Sequence, residues 1–266
     1  MFKLRITSFL LVVFLLLPST VVFGQASLSN IDKSQLNSGI VSVDYKYQKD
    51  VSAKVMISKG NKSYTYNLKS NNRFPLQFED GEYTISILEN VAGNKYKVVK
   101  KEKVTVNLTN KNEVFLQSIQ IINWNKDMDP IKKAKELTKD IKDDKEKVKV
   151  IYNYIINNVS YDYNKAKNLP VDYVSSIEDT MKTSLGICYD YSVLLAAMLR
   201  SIDIPTKLIM GYKNDIKAYH GWNQVYLKDI GKWVTIDTTY DSIKKGNKES
   251  VSMIKNDRDY LVEKQY

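Results

Sequence analysis

The chain has 266 residues, with 40 Lys or Arg against 30 Asp or Glu and a formal net charge of +10, yet it holds one cysteine and one histidine. A lone cysteine excludes an internal disulfide framework, and a structural zinc site would have to be built almost wholly from carboxylates, which is rare. The excess charge is mostly lysine interspersed with acids, as in KVVKKEKVTV and KDIKDDKEKVK; such runs are solvated faces, and nucleic acid is not an expected partner.

Residues 1–26 begin with Lys3 and Arg5, continue through the uncharged run TSFLLVVFLLLPSTVVF and leave over Gly24, Gln25 and Ala26. A basic start, an apolar stretch and a small-residue exit predict a secretory signal peptide, with an uncleaved anchor as the alternative. Cleavage leaves a secreted or cell-surface chain with no stable membrane insertion. Its length suits two modest domains.

From residue 27 to 122 short runs alternate apolar and polar residues: IVSVDYKY, VSAKVMIS, SYTYNL, YTISIL, KYKVV, EKVTVNL and EVFLQSIQII. Turn chemistry separates several of them, including Lys59-Gly60-Asn61 and Glu79-Asp80-Gly81. The alternation predicts an all-β sandwich of the immunoglobulin-like kind, without the cysteine pair of an antibody domain. Its tyrosines read as packing residues and the domain as a positioning module.

Beyond Trp124 the period lengthens to that of helices. Ile131, Ala134 and Leu137, then Val148, Ile151, Tyr152 and Ile155, each mark one helical face. Asp143 with Glu146 resembles a capping box, and Ser176 offers a second helix start. Tyr191, Leu194, Leu195, Met198 and Leu199 form the apolar face of a helix that Pro205 stops from running on. Cys188 falls in its first turn, where unpaired N–H groups and the helix dipole favour a thiolate. Gly186 just before it permits an unusual backbone angle or a close approach.

The sole histidine lies in AYHGWNQVYLKDIGKWVTIDTTYDS. VYL and WVTI read as paired strands around a turn at 228–232. If Leu227 faces Lys232, His220 faces Thr239 and Asp237 faces Trp222, so His220 and Asp237 project from one face of the hairpin. A nucleophile at a helix start, a base on a strand and a carboxylate to orient that base form a Cys-His-Asp arrangement. Cys188, His220 and Asp237 are the catalytic candidates.

GICYDYSVLLAAMLRSIDIPTKLIMGY, followed by HGWNQVYL and GKWVTIDTTYD, resembles the transglutaminase-like superfamily, a branch of the papain-like fold. The shared elements fall on Gly186 and Cys188, Gly211 and Tyr212, His220 and Trp222, and a strand carrying Asp237 and Thr239. Asp203 stands where that family often has glycine, and Thr238 where it often has proline. The resemblance covers roughly residues 130–245 and implies an α+β core of helices packed on an antiparallel sheet, within a catalytic domain expected over residues 123–266. It also implies a thioester at Cys188 that passes to a lysine amine or to water, on a protein or peptide substrate, cell-wall peptide being one candidate. By the same resemblance Tyr161 is a weaker candidate for a second oxyanion donor and Trp222 for a wall of the acyl pocket, and both also read as packing residues. No cofactor is expected. A surface binding module on the same scaffold, without turnover, is the alternative.

Overall fold

The computed structural model describes residues 30–46, 51–69 and 71–266; the expected signal peptide of residues 1–26 lies outside them. Among the described residues no helix is long and apolar enough to cross a membrane.

The first part is built from β1 (Asn30–Asp32), β2 (Ile40–Asp44), β3 (Ala53–Lys59), β4 (Lys62–Asn67), β5 (Arg73–Pro75), β6 (Gly81–Ala92) and β7 (Lys95–Val106). They form two antiparallel sheets, ordered β1-β2-β5 and β4-β3-β6-β7. Alternate side chains of both sheets meet in one core that includes Val41, Phe74, Val55, Ile57, Tyr83 and Ile85. Two expected strands, KYKVV and EKVTVNL, are one strand, β7, whose polar middle pairs along β6. EVFLQSIQII is not a strand: Glu113–Leu116 is a 3-10 turn and Ile119 bridges Ile122. Its apolar residues Val114, Phe115, Ile119 and Ile122 are all buried in the core of the second part. A chain that must bury consecutive side chains in one direction cannot keep the two-residue alternation of a strand.

The second part mixes helices and sheet. It comprises α1 (Asp129–Thr138), α2 (Asp144–Asn158), β8 (Ser160–Tyr161), α3 (Tyr163–Lys167), α4 (Ile177–Thr183), β9 (Leu185–Gly186) and α5 (Cys188–Arg200). β10 (Thr206–Lys213), β11 (Ile216–Leu227), β12 (Lys232–Ile236), α6 (Thr238–Gly246) and β13 (Tyr260–Gln265) complete it. The helix starts obey local chemistry: Asp143 accepts from Glu146 N at 2.8 Å and Ser176 from Asp179 N at 3.2 Å. α5 is apolar around its circumference, and every residue from 193 to 199 is fully buried. It therefore lies at the centre, with α1, α2 and α4 on one side and an antiparallel sheet ordered β12-β11-β10-β13 on the other.

Two devices fasten α5 to that sheet. Asn223 of β11, fully buried, donates from Nδ2 to Ser192 O at 3.0 Å and Lys207 O at 3.1 Å. Arg200, buried at the far end, reaches the carbonyls of Thr206, Gln117 and Tyr266 at 2.9, 2.7 and 3.1 Å. Asp203, where the resemblance has glycine, adopts φ 62°. That is the left-handed region, in which aspartate is among the few tolerated side chains.

Candidate functional site

Cys188 is the first residue of α5, and its position is set by a carboxylate two residues on. The buried Asp190 accepts from Ile187 N at 2.9 Å, the reciprocal half of a capping box. It also takes hydrogen bonds from Tyr173 OH at 2.6 Å and Lys165 Nζ at 3.0 Å. Gly186 is needed for close approach alone. A Cβ there would lie 2.9 Å from Asp190 Cβ, and its φ is not positive. Sequence patterning does not single out Asp190; the one local signal for it is an acid at the third position of the helix.

His220 sits on β11 beside that turn, 5% exposed. A Cβ at its neighbour Gly221 would lie 3.1 Å from Met210 Sδ, and at an ordinary 3.5 Å from the Cys188 carbonyl oxygen, so the strand runs directly beside the helix start. Imidazole Nε2 is 2.8 Å from Asp237 Oδ2, and the Cys188 side chain lies close enough to the ring to add to its proton affinity. Burial by itself lowers the proton affinity of His220. The charge and hydrogen bond of Asp237, with the Cys188 contact, overcome it and raise the imidazole to about 10.

Asp237 is fully buried and ends the strand that delivers it. Leu227 pairs with Lys232, as expected, but the ladder of β11 and β12 stops at Asn223 and Ile236. Thr239 therefore does not face His220 on a strand. It lies in α6, because Asp237 Oδ1 accepts from Tyr240 N at 3.0 Å and caps that helix. Oδ2 takes a second donor, Tyr260 OH of β13, at 3.2 Å. The Lys213 ammonium lies 4.1 Å from the ring centre of Tyr240 and 5.5 Å from that of Tyr260.

Tyr260→Phe keeps the ring and removes one hydrogen bond to a buried carboxylate. It is expected to cost about 1.5–3 kcal/mol in urea denaturation. Tyr212→Phe, on a side chain 40% exposed, should stay within about 0.5 kcal/mol. Equal effects would deny the Tyr260 bond any weight.

The two weaker candidates part company. Tyr161 lines the same groove as Cys188, and burial with the nearby Cys188 raises its phenol above the ordinary value. Trp222 is fully buried, is not among the groove's lining residues, and lies against His220 with ring centres 6.1 Å apart. Its place on β11, two residues from His220, puts it on the same face of the strand, deeper in the core. Among the described residues no three His, Cys, Asp or Glu side chains are grouped to hold a metal ion.

A family model described as the transglutaminase-like superfamily matches residues 131–238, a span that contains Cys188, His220 and Asp237. The UPF0252 protein MJ1282 of Methanocaldococcus jannaschii is 30% identical over 118 residues, which is 41% of this chain and 32% of that protein. The chain thus spans about a third of that curated relative. A candidate cysteine protease from Cytophaga hutchinsonii aligns over 81% of this chain and 76% of its own, at 17% identity and a TM-score of 0.46. The periplasmic domain of TgpA from Pseudomonas aeruginosa aligns over 86% and 98%, at 12% identity and 0.44. A TGase aligns over 48% and 34%, at 21% identity and 0.36.

Proposed function

We propose that this chain, which belongs to the transglutaminase-like superfamily through residues 131–238, is an extracellular thiol acyl-transfer enzyme acting on protein or peptide amide bonds through Cys188, His220 and Asp237. One observation carries the reading: a single buried imidazole has a carboxylate 2.8 Å from Nε2 and the chain's only thiol near enough to raise its proton affinity. The basic and apolar segment 1–26 supports action outside the membrane. The N-terminal sheets, taken as an immunoglobulin-like sandwich, serve to position the site.

A base that keeps its proton to about pH 10 holds the one the thiol gives up. Cys188 Sγ attacks the amide carbonyl carbon, the C–S bond forms and the carbonyl electron pair moves onto oxygen. N–H groups in the first turn of α5 lack intrahelical acceptors, and that of Cys188 is the nearest donor to the oxyanion, with Tyr161 OH as a second. Collapse breaks the C–N bond, and the amine leaves with the proton from His220. A lysine amine or water then attacks the thioester, gives its proton to His220 and releases Cys188. The products are an isopeptide or a carboxylic acid.

The test incubates the chain and its Cys188→Ala variant with glutamine-containing peptides and a tagged amine, with products read by mass spectrometry. Cys188-dependent incorporation of the tag, or Cys188-dependent cleavage or deamidation, is the expected result. Products of equal yield from both proteins, or none from either, would overturn the reading.

A further inference from the structure

Cys188 opens into a groove of about 550 Å³, within the range of pockets that enclose a small ligand or a few side chains. Its walls come from six separate segments. They include Tyr161, Leu169, Tyr189, Met210, Tyr219 and Tyr266. Lys264 is the single charged lining residue, and no aspartate, glutamate, asparagine or glutamine reaches the groove. Lys264 and Tyr266, two positions apart, share one face of the chain at β13 and its end. The Lys264 side chain is exposed and makes no hydrogen bond or ion pair among the described residues.

These walls discriminate between substrates in two ways. A lysine side chain entering an aromatic groove whose single charged residue is another lysine gives up its hydration with little return, whereas a bulky apolar side chain gains by leaving water. A carboxylate beside the groove has one unpaired cation to meet, and an added ammonium would meet the same cation with repulsion. Resting on the thiol acyl-transfer reading, we infer that the acyl donor is a protein segment with a bulky apolar or aromatic residue next to the reacting amide and a carboxylate within reach of Lys264. The small, polar alanine-, glutamate- and lysine-type peptides of cell walls fit this groove poorly.

Binding to the Cys188→Ala chain reads this preference without turnover, by fluorescence anisotropy of labelled peptides of equal length. Three peptides are compared: one with phenylalanine beside glutamine and a nearby glutamate, one with lysine in place of that glutamate, and one made of alanine, glutamate and lysine alone. The first is expected to bind at least ten-fold more tightly than the third and about three- to ten-fold more tightly than the second. A Lys264→Glu exchange should reverse the order of the first two. Ala218→Trp, at an exposed position of the same groove, should weaken the first peptide by ten-fold or more. Equal or undetectable binding of all three peptides, or an order that Lys264→Glu leaves unchanged, would overturn the inference. A retained binding preference without any Cys188-dependent product would instead count against the catalytic reading alone.

Discussion

Asp237→Asn is expected to lower Cys188-dependent acyl transfer about 10⁴-fold, the scale set by removing the carboxylate of a comparable triad. Asparagine keeps the shape and can still accept from Tyr240 N, so α6 stays capped and the variant isolates the charge. The same change should be visible on the imidazole, which is the only one in the chain. In the native protein its NMR signals should titrate near pH 10, far above the ordinary 6.5. Without the Asp237 charge, burial acts to lower the value and only Cys188 opposes it, so the titration should move sharply down. A linked effect on stability has a fixed sign. Because folding raises the affinity of His220 for its proton, the stabilisation is complete below about pH 6.5 and is lost as pH rises through about 10. The Asn variant should lack most of that alkaline loss. A native imidazole that titrates near 6.5, or a variant with undiminished rate, would remove the charge argument.

How much of this site can be read from sequence depends on how far apart in the chain the partners lie. The hairpin that carries His220 and Asp237 is local: once Leu227 pairs with Lys232, the alternation of side chains brings the two to one face. The caps at Asp143 and Ser176 are equally local, each three residues from its donor. The turn just after Asp237 is not legible in the same way. IDTTYDS has the β-branched look of a continuing strand, but the Asp237 side chain bonds its own backbone three residues on and turns the chain into α6. Tyr260 lies 23 residues from Asp237 and Lys165 lies 25 from Asp190. No periodicity links such pairs. The short strands β1 and β5, three residues each, hold too few alternations to stand out.

Gly211→Ala is expected to be the most damaging substitution to the fold that leaves every functional side chain in the sequence. A Cβ at 211 would overlap the carbonyl oxygen of Leu261 in β13 and lie 2.9 Å from Trp222 Cη2. Neither neighbour can yield cheaply. Leu261 O belongs to backbone held by the ladder in which Gly211 pairs with Val262 and Tyr212 with Leu261, and Trp222 is fully buried. Relief requires β13 to move away from β10, which also draws Tyr260 from Asp237. The expected cost is about 3 kcal/mol or more, hence a fall in Tm of roughly 6–12 °C for a chain of this size. Gly246→Ala is the matched control: nothing lies within 4 Å of its added methyl, it ends α6, and it should be neutral or slightly stabilising. If Gly211→Ala melted with the native protein, β13 would not be packed against β10 as described. Its contribution to the Asp237 environment would then fall with it, because the strand that meets Gly211 is the one that carries Tyr260, Lys264 and the chain leading to Tyr266.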